Sequence, residues 1–357
     1  MTYRVCILDR NPKIADDKMK IQRSWMPRLN KGGPSSYNTK DYVYSVEVSS
    51  YFYIKRYYKD IDIDLIQWER IVDYKFMSQY KKVLIFNHGL SDAIPFWKDK
   101  TDIYMKAWAN LGNRAWPSFE FASFVLDKCQ YYNYLKCNNV VTADTYCIEA
   151  VKNLPRLHNF LDNQKINKIF IKPVGGNSGV GTSTHVRPYD NLKNTLHKLF
   201  NKNEWKKLVV QRFMNFSTHD SPEYKCLYVG GKMVYIVKTF RLGFFNGMIF
   251  PTNTWWPHTK KLDELSKNVI NLFEKKLKTE IPYCRVDWGY DKANKRFFLN
   301  EFEHAGGTYG EDSVHLRKTL NARTWNVDSE LAKAIVKFIR KLRLKNQILH
   351  KSSTKNV

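Results

Sequence analysis

The chain has 357 residues, more than the roughly 100 to 200 of one ordinary domain, which excludes a peptide or minimal binding module and predicts two or three packed domains. Its 43% apolar and 15% aromatic residues, against 26% charged, can fill real cores, so wholesale disorder is excluded as well. Lys and Arg number 59 against 34 Asp and Glu, a formal net charge of +25 that favours polyanionic or acidic partners: nucleic acid, nucleotides, phosphorylated or carboxylate metabolites, acidic membrane surfaces.

The N-terminus, MTYRVCILDR, lacks the apolar stretch of a signal peptide, and nowhere do 18 apolar residues run together. An intracellular, cytoplasmic protein without a membrane span is expected. Tyr3–Leu8 and Val83–Phe86 are β-branched and aromatic runs ending in polar or glycine-containing turns (Asp9-Arg10-Asn11 and Asn87-His88-Gly89), the pattern of buried strands in an N-terminal α/β domain. Between them, Lys31-Gly32-Gly33-Pro34-Ser35-Ser36 breaks regular structure and predicts a surface loop over Arg28–Tyr42. Ser118, after Pro117, is a helix cap, and Phe121, Phe124, Val125 and Cys129 follow at helical spacing, so one helix is expected from Ser118 through Asp127 and Lys128.

Further helices are expected near Cys147–Leu161, Asn191–Phe200 and Lys261–Lys278, the last with Leu262, Leu265, Val269, Leu272 and Leu277 on one stripe. Strands are expected at Ile166–Lys172, Leu208–Met214, Tyr224–Val229, Lys232–Phe240, Tyr283–Tyr290 and Arg296–Glu303. Val229-Gly230-Gly231-Lys232 marks a two-residue hairpin, since consecutive glycines accept the positive φ of a tight turn. Leu331–Leu344 reads as a final amphipathic helix capped near Asp328 or Ser329, followed by a basic tail expected to fray. Cys6, Cys129, Cys137, Cys147, Cys226 and Cys284 form no CxxC pair and have no histidine at zinc-ligand spacing, so reduced, mostly buried thiols are expected.

Two segments carry chemistry. The strand Ile169–Lys172 runs into Pro173-Val174-Gly175-Gly176-Asn177-Ser178-Gly179-Val180-Gly181-Thr182-Ser183. Without Cβ atoms such a backbone comes close to phosphates, consecutive N–H groups cradle an anion, and Lys172 adds a full charge. The loop lacks the GK[ST] ending of a P-loop and does not open a dinucleotide-binding helix. The same composition also serves a merely flexible hairpin loop. Further on, Pro282–Tyr290 and Phe297–Glu303 flank the polar turn Asp291–Asn294. With a three-residue loop Asp291 would oppose Lys295, Asp287 would face Leu299 and Arg285 would face Glu301. Asp287, Glu301, Glu303 and Arg285 then share one face, with Asp287 and Glu301 on a diagonal roughly 7 to 8 Å between Cα atoms, close enough for both carboxylates to reach one hard cation or two bridged ones. A solvated charged face with an ordinary cross-strand ion pair is the alternative.

Taken in order, these pieces resemble the ATP-grasp superfamily, especially its D-alanine:D-alanine ligase-like and glutathione-synthetase-like members, over about residues 112–307. Gly112-Asn113-Arg114-Ala115-Trp116-Pro117-Ser118 and Asp127-Lys128 are similar to the opening "G-x-x-x-x-P-S … D-K" of its ATP-binding region. Val141-Thr142-Ala143-Asp144-Thr145 stands where the family has Pro-x-Thr, here without the proline. The resemblance implies an α/β fold with α+β subdomains: an N-terminal Rossmann-like pre-ATP-grasp domain (1–116), an A subdomain with the glycine-rich loop (117–212), a C-terminal subdomain with the metal carboxylates (213–345), and a basic tail (346–357).

It further implies that Lys128, Lys172 and the loop residues Gly175, Gly176, Ser178, Gly179 and Gly181 hold the phosphates of ATP. Gln211, Arg212, Phe213 and Met214 would read the adenine edge, Glu223 the ribose, and Lys238 or Arg241 would supply a second phosphate-binding cation. Arg285-Val286-Asp287 and Asn300-Glu301-Phe302-Glu303 resemble the "R-V-D" and "N-E-x-N" motifs. Asp287, Glu301 and Glu303 would thus carry Mg²⁺ or Mn²⁺, and Arg285 would stabilise phosphate or oxyanion charge. Glu303 replaces the usual Asn, and His304-Ala305-Gly306-Gly307 replaces a Pro-Gly substrate loop.

The implied activity is a carboxylate–amine or carboxylate–thiol ligase working through an acylphosphate on an acidic small molecule or peptide. A rival within the fold is a small-molecule kinase, because Lys172-Pro173, Gln211-Arg212-Phe213 and the Glu223–Lys238 hairpin are also similar to inositol-phosphate kinases of ATP-grasp type. A rival outside it is a nucleic-acid-binding protein using the basic surface, disfavoured because acidic residues cluster instead of being purged. His88 can line a cleft or merely bond its turn, and Trp255-Trp256 can stack on a base or pack a loop.

Overall fold

The computed structural model describes residues 3–9, 46–85, 101–174, 181–202, 205–216, 221–239, 248–251, 258–304 and 327–353. The expected loop over Arg28–Tyr42, His88, Gly175, Gly176, Ser178, Gly179, Arg241, Trp255, Trp256, Gly306 and Gly307 lie outside the described residues.

Strands β1 (Arg4–Asp9), β2 (Asp62–Gln67), β3 (Lys82–Ile85) and β4 (Ala115–Trp116) form a parallel sheet in the order β2-β1-β3-β4. Helices α1 (Val46–Tyr57), α2 (Tyr74–Met77) and α3 (Thr101–Leu111) accompany it. A parallel strand covered on both faces reads as a continuous apolar run, and Val5, Cys6, Ile7 and Leu8 are all buried.

The single helix expected from Ser118 is two, α4 (Phe119–Leu126) and α5 (Lys128–Cys137). The break has a local cause. Asp127 leaves the helical region, and its carboxylate accepts from Gln130 N at 3.0 Å, capping α5 as the Ser118 hydroxyl caps α4 through Phe121 N at 3.1 Å. Lys128 is thereby set at the first position of a new helix.

The second sheet, in the order β5-β8-β6-β7, comprises β5 (Thr145–Ile148), β6 (Lys168–Pro173), β7 (Ser183–Val186) and β8 (Leu208–Arg212), all pairings antiparallel. The helix expected from Cys147 is corrected. Thr145–Ile148 is β-branched and aromatic enough to pair with β8, and the helix, α6 (Leu154–Asn163), starts where Pro155 pre-sets φ in its first turn. The α-helical part of the next expected segment is α7 (Leu192–His197), followed by one wider π turn, Lys198–Lys202.

The reduced-thiol expectation is also corrected: Cys129, at the start of α5, and Cys147, in β5, form a disulfide with Cα atoms 5.9 Å apart. The packing of α5 against β5 brings them together, a tertiary proximity that their spacing in the chain does not reveal. Cys6, Cys226 and Cys284 are buried free thiols and Cys137 an exposed one.

The third sheet is antiparallel, β11-β10-β9-β12-β13, built from β9 (Glu223–Val229), β10 (Lys232–Thr239), β11 (Met248–Pro251), β12 (Tyr283–Asp291) and β13 (Arg296–Glu303). The Gly230-Gly231 hairpin forms as expected, with φ of +59° and +76°. Helix α8 (Thr259–Leu277) covers one face, burying Leu262, Ser266, Val269, Ile270 and Phe273. Leu265, Leu272 and Leu277 lie at the margin of that stripe, partly buried. Trp288 Nε1 donates to Ser266 Oγ at 2.8 Å, Tyr228 Oη donates to Asp263 Oδ1 at 2.9 Å, and the Phe273 and Phe302 rings meet at 4.6 Å. The sheet therefore presents its other face, free of α8, toward α5 and β6.

Helix α9 (Val327–Ser353) packs on α1 and grips Asp60 through Arg340, at 2.9 and 3.1 Å. It continues past Leu344 to Ser353, into the segment expected to fray, because Lys345–His350 contains neither Gly nor Pro to stop it. Among the described residues no helix is long and apolar enough to cross a membrane.

Candidate functional site

The β12–β13 hairpin departs from the expected register. Its turn has four residues, Lys292–Lys295, with Lys295 at φ +50° and the Asp291 carboxylate accepting from Asn294 N at 3.2 Å and from Asn294 Nδ2 at 2.6 Å. Asp291 consequently opposes Arg296, and a bulge beyond Trp288 shifts the pairing once more, so that Asp287 opposes Glu301 and Arg285 opposes Glu303. Directly opposed residues share a face, so the four expected side chains do line one surface, but Asp287 and Glu301 are immediate neighbours instead of a diagonal pair. Gly289 lies on that face under the Phe298 ring, where a Cβ would stand 2.1 Å from Cζ.

Ion pairs divide this face into two halves. Arg285 grips Asp287 with Nε at 2.8 Å from Oδ1 and Nη2 at 2.9 Å from Oδ2, while Asp287 is only 1% exposed. Lys225, the register partner of Asp287 on β9, places Nζ 3.6 Å from Oδ2 and 3.3 Å from Glu223 Oε2. In the other half, Lys128 Nζ stands 2.8 Å from Glu301 Oε1, and Arg285 reaches Glu303 only at 3.9 Å. Lys172 Nζ donates to Tyr132 Oη at 3.0 Å, and that hydroxyl donates to the Asn300 carbonyl, which ties β6 through α5 to the bulge of β13.

The remaining expected residues are distributed as follows. Glu223 is buried on the same face, where it accepts from Asn300 Nδ2 at 2.7 Å. Gln211 Nε2 donates to Thr145 Oγ1 at 2.9 Å, Arg212 Nε donates to Asp144 Oδ2 at 2.8 Å, and Lys168 Nζ sits 3.8 Å above the Phe213 ring. The Met214 carbonyl accepts from Phe216 N at 3.0 Å. Gly181, at φ +73°, has its would-be Cβ 2.7 Å from Pro173 Cγ, so only glycine closes the base of the loop. Lys238 is not brought to the site. It opposes Tyr224, which opposes Trp288, so it lies on the α8 side of the sheet, where burial and then the Lys238 charge push the His258 imidazole down.

Sequence reasoning missed Lys225 and Tyr132, and it quoted Asn300 in a motif without giving it a role. The first two had a signal: Lys225 stands two residues from Glu223 on a strand, and Tyr132 four residues from Lys128 on a helix, the spacings of shared faces.

The electrostatics differ between the two glutamates. Burial raises the Glu301 carboxyl, but Lys128, Lys172 and Arg285 outweigh it and hold it at about 2. Burial and then the Glu301 charge push Glu303 up to about 7, against Arg285 and Lys128. For Lys128, burial alone would lower the ammonium, and Glu301 and Glu303 reverse the sign. The native Glu303 carboxyl thus holds its proton more tightly than the unfolded chain does. Its contribution to stability is present below the ordinary 4.5 and is lost as pH rises through about 7. In EDTA, melting temperatures across that window should fall less steeply with pH in Glu303→Gln than in the parent, and identical slopes would refute the assignment.

Asp287, Glu301 and Glu303 share the face, but no group of three His, Cys, Asp or Glu side chains among the described residues is arranged as a ready metal cluster. Glu301 and Glu303 by themselves suit a hard cation. They project from one strand face roughly 6 to 7 Å apart at Cα, and the raised Glu303 carboxyl marks negative charge that a cation would relieve.

No protein-family model matches the chain, and no curated protein matches it significantly. Solved structures share its fold. D-cycloserine synthetase DcsG superposes with a TM-score of 0.58 at 13% identity over 78% of this chain and 90% of that one. D-alanine–D-alanine ligase from Bacillus anthracis complexed with ATP gives 0.55 at 14% identity over 96% and 99%. VanG D-Ala:D-Ser ligase from Enterococcus faecalis gives 0.55 at 12% identity over 94% and 99%. At these identities the likeness is one of fold.

Proposed function

From the ATP-grasp fold that this chain adopts, we propose that it is an ATP- and Mg²⁺-dependent ligase that activates a substrate carboxylate as an acylphosphate and joins it to an amine or thiol, releasing ADP and phosphate. One observation carries this reading: Lys128 from α5 pairs with Glu301 at 2.8 Å, Arg285 from β12 lies 3.9 Å from Glu303, and Lys172 from β6 is tied through Tyr132 to the β13 bulge beside them. Three cations from separate elements around hard carboxylates are what a triphosphate with its metal requires, since phosphoryl transfer is catalysed by position and charge. That the three structures named above are ligases or a synthetase supports bond formation over phosphorylation of a hydroxyl.

In this reading ATP lies between the 117–212 and 213–345 parts, with residues up to about 116 forming a separate N-terminal domain. Lys172 and the backbone of Gly175, Gly176, Ser178, Gly179 and Gly181 hold the phosphates. The Gln211–Met214 backbone reads adenine, and Glu223 accepts from the ribose. The side chains of Gln211 and Arg212 are already bonded to Thr145 and Asp144, and the Arg212 and Phe213 N–H groups to the Asp144 and Lys168 carbonyls, so adenine would be read by the remaining main-chain groups. Arg285 stabilises the charge that develops as the carboxylate attacks. Mg²⁺ or Mn²⁺, held by Glu301 and Glu303, would offset charge on the phosphate oxygens.

Mg-ATP at a hundredfold above its dissociation constant should stabilise the fold by about 2.7 kcal/mol, and Lys172→Ala should weaken that gain. A melting curve unmoved by millimolar Mg-ATP would sink the reading.

A further inference from the structure

The two halves of the carboxylate face are unequally neutralised. Asp287 has both oxygens engaged by one guanidinium, at 2.8 and 2.9 Å, and a second cation, Lys225, at 3.6 Å from Oδ2. For Asp287 to bind a divalent ion instead, Arg285 and Lys225, 9% and 11% exposed, would have to surrender it and accept a dication beside them. Like charges in so dry a place are costly, and breaking a buried pair is costlier still. Glu301 and Glu303 are held less tightly: among the described residues Lys128 stands 2.8 Å from one Glu301 oxygen, Oε1, and Arg285 comes only to 3.9 Å from Glu303 Oε1.

We propose that Lys225, with Arg285, is a built-in cationic clamp that occupies the place of a second divalent ion. The nucleotide complex then carries a single metal, on Glu301 and Glu303, and Asp287 is a positioning residue for the two cations rather than a metal ligand. The proposal deepens the nucleotide-binding reading above and rests on it. Lys225 reaches Asp287 because the two are direct register partners, and it also contacts Glu223. The clamp therefore spans the distance from the proposed ribose acid to the proposed oxyanion cation.

The test is a titration of the full chain with Mn²⁺ in the presence of saturating β,γ-imido-ATP, free Mn²⁺ being read by electron paramagnetic resonance. One Mn²⁺ per chain is expected. Asp287→Asn should leave its affinity nearly unchanged, whereas Glu303→Gln, which spares the Lys128–Glu301 pair, should weaken it by at least ~10-fold. Lys225→Met combined with Arg285→Gln, which takes both cations away from Asp287, should admit a second Mn²⁺, and Lys225→Arg, which retains the charge, should still bind one. Two Mn²⁺ in the parent, or loss of Mn²⁺ in a folded Asp287→Asn, overturns the proposal. Failure of the imido-nucleotide itself to bind overturns the ATP reading beneath it, a separate and recognisable result.

Discussion

Glu301→Gln is expected to lower stability by about 3 to 5 kcal/mol, to lower the melting temperature accordingly and, on the ligase proposal, to abolish ATP turnover. The size follows from what the substitution strands. Lys128 is 7% exposed with its ammonium 2.8 Å from Glu301 Oε1, and a buried charge that loses its nearest counter-charge, with Glu303 left as the lesser one, pays desolvation that the pair had offset. Glutamine keeps the volume and removes the charge, so packing is not the cause. The partner substitution Lys128→Met should cost a similar amount, because Glu301 then loses the first of the three charges that hold its carboxyl down. The double variant should recover a large part of the loss, since an apolar or neutral pair needs no counter-charge. Thermal melts of the four proteins give the coupling directly. Additive losses, or a Glu301→Gln protein that melts like its parent, would mean the pair contributes nothing to the fold.

Arg285→Ala should slow ligation by about 10² to 10³. A ligase forms an acylphosphate and then a tetrahedral adduct, and both place anionic oxygen where a fixed cation helps. Its two bonds to Asp287 hold the Arg285 fork on the carboxylate face, where on the ligase proposal it would meet that charge. Hydroxylamine added to enzyme, ATP and the carboxylate substrate should trap a hydroxamate together with ADP and phosphate, and Arg285→Ala should suppress it. Arg285→Lys, with a point charge but no bidentate fork, should fall between the two. ADP accompanied by a stable phosphorylated product and no hydroxamate would replace ligase with kinase.

Much of the site was legible because period and spacing are local properties. Strand alternation put Arg285 with Asp287 and Glu301 with Glu303, the paired glycines at 230 and 231 announced their hairpin, and Ser118 announced a helix start. The order of the motifs resembles that of D-alanine:D-alanine ligase-like proteins, and solved structures of such a ligase and of D-cycloserine synthetase share the chain's fold. Asp127 was read as lying within a helix, although its side chain competes for the backbone N–H groups that a helix start leaves open.

Residue types, their order along the chain and the faces they share within one strand or helix are thus determined by sequence alone, because each depends on neighbours a few bonds away. Cross-strand register is not, since one turn residue and one bulge moved Asp287 from a diagonal of Glu301 to its direct opposite. Nor is the face on which a cation ends. Lys238 was expected at the phosphates and lies under α8, while Lys225, without a motif, reaches Asp287. The Cys129–Cys147 bond, the Lys128–Glu301 pair and the Lys172–Tyr132–Asn300 relay join elements distant in the chain. Their energies come from burial and from the pairing of charges across separate elements, and those quantities exist only once the elements have packed.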